Sequence, residues 1–186
     1  RLIVANNRNH GLSDLVTTGT LTLEEPIPTL APAMDIQIPS NLERYLFELT
    51  EGDTDRVRAW QRQISDTRRL SLTASERGRM QQLLAADWLR DDEVIDAMQE
   101  AHTTSGMILD PHTAIAWRVG SRLCPAGASL VTVATAHPAK FAGAVLEATG
   151  LTPELPADLA DLAERNERIV NLPNDYRALV QFLQSR

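Results

Sequence analysis

The 186-residue chain has a single lysine, Lys140, set against 17 arginines, and a single cysteine, Cys124. One cysteine excludes an internal disulfide, so a reducing, cytoplasmic setting is expected. The formal net charge is −7, and no basic run is present to track a phosphate backbone, which argues against nucleic acid as a partner. The histidines His10, His102, His112 and His137 show no metal-ligand spacing, so no metal is expected. No stretch reaches the roughly 20 apolar residues of a membrane span, and the N-terminus shows no signal-peptide pattern. No glycine-rich phosphate loop follows a strand, which discounts a generic nucleotide-binding domain. No internal repeat or low-complexity tract is visible.

What is present suits a folded α/β chain. Hydrophobic residues make up 43%, enough for one domain or one domain with a small appendage. Leu2 to Ala5 read as a strand, and so abrupt an opening suggests a start inside a fold. Asn6 to Gly11 form a polar loop at that strand's carboxyl end, followed by a short helix through Leu12, Leu15 and Val16 that ends near Gly19. Pro26, Pro28, Pro32 and Pro39 make residues 21–39 an extended connection. Ser40 and Glu43 have the spacing of a capping box, opening a helix with Leu42, Tyr45, Leu46 and Leu49 on one face and Gly52 at its close.

Residues 53–103 read as a helical appendage. Its stripes are Val57, Trp60 and Ile64, then Met80, Leu83 and Leu84 behind a Thr73–Glu76 capping box, then Val94, Ile95 and Met98. Its charges suit a solvated face without chemistry. Residues 1–52 and 104–150 are expected to form the α/β domain, with Gly106 to Leu109 as a short strand and Asp110 to Ala114 as its turn. A helix capped by Thr113 or His112 then runs through Ile115, Trp117 and Val119. Residues 151–186 read as a C-terminal helical packing segment, ending in a helix capped by Asn174 or Asp175 with Tyr176, Leu179, Val180 and Leu183 inward.

The richest stretch is Ser129 to Phe141. Leu130, Val131, Val133 and Ala134 form the short apolar run of a strand buried on both faces of a parallel sheet. Thr135 ends the run, Pro138 suits a first helical turn, and Phe141, Val145 and Leu146 continue at helical spacing to Gly150. Ligands of open α/β sheets sit at strand carboxyl ends, so Thr135 and His137 are in ligand position.

The segments AMDIQIPSNLERYLFEL, LDPHTAIA and VTVATAHPAKF are similar to the C-terminal half of the threonine synthase family, pyridoxal-phosphate enzymes of the tryptophan-synthase-β-like fold (fold type II). The resemblance runs over most of the chain and is weakest in residues 53–103 and after Gly150. It implies a mostly parallel sheet with flanking helices and a pyridoxal 5'-phosphate cofactor. The activity it implies is that of a carbon–oxygen (phosphate) lyase converting O-phosphohomoserine and water to threonine and phosphate. The family's Schiff-base lysine lies in an N-terminal SFKD-type motif, and neither that motif nor the cofactor-phosphate loop occurs here. Lys140 is not at that position. The expectation is therefore a C-terminal portion that needs an N-terminal half as its partner, holds no catalytic residue of its own and is inactive alone. A non-catalytic interaction or regulatory module of the same fold is the alternative, and the presence of Thr135, Asn41 and Asp110 argues against it.

The family assigns Thr135 the hydrogen bond to the pyridine nitrogen, where a neutral hydroxyl leaves that nitrogen uncharged. The competing reading is a cap on the next turn. Asn41, with Ser40 and Arg44, matches the substrate-phosphate side of a helix N-terminus. Ser40 is equally explained by its capping box, and Arg44 by an i,i+4 pair with Glu48. Pro39 replaces a small hydroxyl residue common in relatives. Asp110 is expected beside the cofactor ring, or as a cap before Pro111. His112 and Thr113 read as helix-start residues, His137 as a weak acid/base candidate, and Asn6, Asn7 and Asn9 as residues that order the site's edge.

Overall fold

A computed structural model describes residues 1–185. Backbone contacts divide it into two units, Arg1–Pro153 and a second from Glu154 onward. In the first unit, β1 (Leu2–Asn6) pairs in parallel with β4 (Leu84–Trp88), Leu2 opposite Leu84 and Asn6 opposite Trp88. A second pair, β2 (Thr20–Thr22) and β3 (Arg69–Ser71), is antiparallel.

The alternation of β1 decides what covers the sheet, because successive side chains of a strand point to opposite faces. Val4 joins a core built on Leu15, Leu21, Leu46, Trp60, Leu70 and Met80. Ile3 and Ala5 join a different core, built on Leu89, Val94, Met98, Ile115, Val119 and Val145. The first is supplied by α1 (Gly11–Thr18), α2 (Leu42–Leu49), α3 (Thr54–Thr67) and α4 (Ala74–Leu83). The second is supplied by α5 (Asp91–Ser105), α6 (Pro111–Leu123) and α7 (Ala142–Thr149). A parallel pair with helices on both faces is an α/β fold, and each large apolar side chain buried in it contributes about 1.5–3 kcal/mol.

Residues 53–103 are not an all-helical appendage. They form α3, α4 and most of α5, but they also carry β3 and β4, and β4 supplies the strand that pairs with β1. LAADW is short and mixed, so helical spacing around Met80 masked it, and Leu84 belongs to β4 rather than to the preceding helix. The Thr73–Glu76 capping box forms as expected. Glu76 also takes a bidentate pair from Arg56, Nε to Oε1 at 2.7 Å and Nη2 to Oε2 at 2.9 Å, and Arg56 lies 4.7 Å over the Trp60 ring. That guanidinium holds the Glu76 carboxyl down at about 2.

Two expected strands are absent from the sheets. Residues 106–109 and 130–134 belong to no strand, Gly106 being left-handed (φ 72°), and Val131 and Val133 are 83% and 70% exposed instead of buried on both faces. A strand exists only through a partner edge, and residues 128–133 face Arg1 to Ile3 across a cleft rather than across a hydrogen-bonded ladder. Gly120 admits this segment: a Cβ there would stand 3.0 Å from Leu130 Cδ1. The helix expected from Pro138 is a 3₁₀ turn, Pro138–Phe141, leading into α7, where Val145 is buried and Leu146 exposed.

The second unit holds 3₁₀ turns at Ala157–Leu159 and Leu162–Glu164 and the helix α8 (Tyr176–Gln184), which Asp175 caps by accepting the Ala178 N–H. No residue of α8 is buried, and Tyr176, Leu179 and Leu183 are exposed, contrary to an inward-facing stripe.

Candidate active site

Polar groups gather where β1 ends. Asn6 Oδ1 accepts the Ser13 hydroxyl at 2.7 Å and its N–H at 3.1 Å, which anchors the first turn of α1 to the strand end. Asn7 and Asn9 are buried and hold the proline-rich segment like a strap. Asn7 Nδ2 donates to Thr29 Oγ1, Asp35 Oδ1 and the Ala31 carbonyl, and Asn7 Oδ1 accepts the Asn9 N–H. Asn9 exchanges hydrogen bonds with both backbone groups of Ile27 at 2.8 Å. The asparagines expected to order the site's edge thus have specific partners, with Asp35 at their centre.

The strap is fastened twice more. The Leu30 N–H reaches Asp91 Oδ1 at 3.3 Å, and the Ala33 N–H reaches His112 Nε2 at 3.3 Å. His112 Nδ1 in turn meets Asp110 Oδ1 at 2.8 Å. These partners assign the tautomer: Nδ1 carries the proton toward the carboxylate and Nε2 accepts. Asp110 also accepts the His112 N–H and the Thr113 hydroxyl. It is the N-cap of α6, the place expected for Thr113 or His112, and its buried carboxylate is engaged by its own helix start. The cap expected of Asp110 before Pro111 is thus present.

Thr135, by contrast, caps no turn. The turn after it is capped by His137, whose Nδ1 accepts the Ala139 N–H at 3.2 Å. Thr135 is exposed and its hydroxyl has no partner among the described residues. His137 is thus a cap on an exposed turn. Lys140 is exposed on the same turn, its Nζ 5.8 Å from the Phe141 ring centroid.

At the start of α2 the expected capping box does not form. Asn41 is the N-cap, in helical backbone conformation and without a side-chain cap bond, so the Ser40 hydroxyl lies one residue too early to serve. Among the described residues the Leu42 and Tyr45 amides are bonded, whereas those of Glu43 and Arg44 have no acceptor. Ser40, Asn41 and Arg44 are all exposed, and Arg44 makes no ion pair with Glu48 among the described residues. The three residues assigned to a phosphate thus share an open helix start, fixed to the carboxyl end of β1 through the strap. Thr135 lies on a separate segment, and the described hydrogen bonds do not join it to them.

Polar loops at the carboxyl end of a parallel pair, with helices on both faces, define an α/β chain of the kind that binds ligands at strand ends. Residues 113–183 match the family model described as "Threonine synthase, C-terminal". A threonine synthase from Pseudomonas aeruginosa is 37% identical over 98% of this chain and 39% of its own length. The crystal structure of a PLP-bound threonine synthase from Brucella melitensis superposes with a TM-score of 0.89 at 33% identity, over all of this chain and 40% of that one. Yeast threonine synthase gives 0.82 at 25% identity, over 99% and 41%. The chain belongs to the threonine synthase family and spans about 40% of the length of these relatives.

Proposed function

We propose that this chain forms one side of a threonine synthase active site: the side that meets the ring nitrogen of pyridoxal 5'-phosphate and the phosphate of O-phosphohomoserine. The reaction is the conversion of that substrate and water to threonine and phosphate. The observation that carries the reading is the Thr135 hydroxyl, exposed and unengaged because His137 supplies the cap beside it. An exposed hydroxyl without a protein partner is free to donate to a pyridine nitrogen.

The residues present fit part of the cofactor. Thr135 suits the ring nitrogen, while Lys140, exposed on a surface turn, is not placed to hold the reactive carbon. Bound pyridoxal phosphate supplies an electron sink for carbanionic chemistry. Thr135 donates a neutral hydrogen bond that leaves the ring nitrogen uncharged, which tempers the sink and limits side reactions. Asn41 and the open Glu43 and Arg44 amides receive the substrate phosphate, with the positive end of α2 behind them. Arg44 adds a charge-assisted contact. Asp110 and His112 serve as supports for α6 and the strap, outside the proton transfers.

The test is complementation. Co-expression of this chain with the remaining part of a threonine synthase is expected to give a stable visible-range cofactor absorption and phosphate release from O-phosphohomoserine, neither appearing with the chain alone. Borohydride fixation of the cofactor to Lys140 in the isolated chain would overturn the reading, as would a reconstituted protein indifferent to Thr135→Ala and Asn41→Ala.

A further inference from the structure

Asp35 is a carboxylate with four donors and no cation. Its Oδ1 accepts from Asn7 Nδ2 at 2.7 Å, Asn9 Nδ2 at 3.0 Å and Thr29 Oγ1 at 2.7 Å, and its Oδ2 accepts the Thr29 N–H at 2.9 Å. No arginine, lysine or histidine pairs with it among the described residues. Both oxygens face donors, so an amide at this position would set an N–H against an N–H whichever way it turned. The arrangement requires an acid, although no ion pair uses its charge.

What Asp35 fastens is the exit leg of the strap. Two residues on, Gln37 closes the loop on itself: its Oε1 accepts the Glu24 N–H at 3.2 Å and its Nε2 reaches Asn9 Oδ1 at 3.4 Å. Ser40 and Asn41 follow within one turn's length of chain. The open amides at the start of α2 are therefore registered to the end of β1 through Asp35, with Asn7 and Asn9 as the fixed points. Asn7 and Asn9 are only 0% and 6% exposed, so the fixed points lie inside the fold.

We infer that Asp35 is a positioning residue for the phosphate-binding start of α2, touching no substrate itself and acting through the strap. The inference rests on the reading of Ser40, Asn41 and Arg44 as the phosphate side. It separates two effects that removal of Asp35 would have: a loss of stability, which any buried network gives, and a loss of affinity confined to the phosphorylated ligand.

The experiment uses the full-length enzyme with cofactor bound. Asp35→Asn is expected to raise KM for O-phosphohomoserine and to weaken competitive inhibition by inorganic phosphate, each about tenfold, roughly the worth of one charge-assisted hydrogen bond. kcat should change by less than about threefold, and the cofactor's absorption should stay where it is, since only ground-state and transition-state binding in common is lost. Thr29→Val should shift KM in the same direction and Thr29→Ser should restore it, so a failure of Asp35→Asn to fold leaves a second route. Hydrogen exchange over residues 24–42 should quicken in Asp35→Asn and Thr29→Val. A lowered melting temperature with KM and phosphate inhibition unchanged would overturn the inference. If instead the wild-type enzyme is not inhibited by phosphate and Asn41→Ala leaves KM alone, the phosphate reading itself is what fails.

Discussion

His112 stands between Asp110 and the strap: its Nδ1 lies 2.8 Å from Asp110 Oδ1 and its Nε2 receives the Ala33 N–H at 3.3 Å. One neutral imidazole thereby ties the start of α6 to residues 32–34, and its ring lies 4.7 Å from that of Phe141. His112→Phe keeps an aromatic ring but leaves a buried carboxylate oxygen and a backbone amide short of a partner. The expected loss is about 1–3 kcal/mol, measured by urea denaturation. An unchanged midpoint would show that the bridge carries no stability.

The Arg56–Glu76 node predicts a pH dependence. The Glu76 carboxyl is held at about 2, below its ordinary value of 4.5, chiefly by the hydrogen bonds from Arg56. A folded-state value below the unfolded one means that the contribution is fully present above pH 4.5 and is lost as pH falls through that value toward about 2. Glu76→Gln should flatten this acid limb of the stability curve and lower stability at neutral pH by about 1–3 kcal/mol, the scale of hydrogen bonds to a charged group. Equal acid sensitivity in the variant would refute the assignment.

Residues 130–134 present an unpaired apolar edge, with Val131 and Val133 exposed. Such an edge invites pairing with another chain. Val131→Lys with Val133→Lys should reduce concentration-dependent self-association of the isolated chain in analytical ultracentrifugation. The same pair should impair assembly with the rest of the enzyme. Self-association unaffected by both charges would place the sticky surface elsewhere.

Lys140 offers a simple control. Its Nζ is exposed over Phe141 and bonds no acidic group among the described residues. Lys140→Arg in the full-length enzyme should leave kcat/KM within about twofold, because an exposed side chain outside the chemistry contributes little to it. A loss of a hundredfold or more would restore it to the reaction.

The architecture was readable where periodicity and punctuation agreed. β1, α1, α2 and the Thr73–Glu76 capping box follow from local pattern, and the apolar stripes of α1 and α2 bury Leu15, Val16, Leu42, Leu46 and Leu49. β4 was not readable, because Leu84 to Trp88 lies directly against a helix and pairs with a strand about 80 positions away in sequence, a contact no local window contains. The extended run at Val131 and Val133 illustrates the converse: residues suited to a buried strand stay exposed when nothing pairs with their backbone. At the site, Ser40 has capping-box spacing but the helix begins one residue later, and Asp110 rather than Thr113 or His112 caps α6, a choice that spacing cannot specify. Asp35 was hidden because its donors come from residues 7, 9 and 29, brought together only by the strap.

The central claim is that Thr135 is the neutral partner of the cofactor's ring nitrogen, and spectroscopy of the full-length enzyme tests it most directly. Thr135→Asp should hold that nitrogen protonated and so shift the visible absorption of the bound cofactor, with a pH dependence that the wild type lacks. Thr135→Ala should weaken cofactor binding without that shift. Spectra and cofactor affinity identical to wild type in both variants would contradict the account.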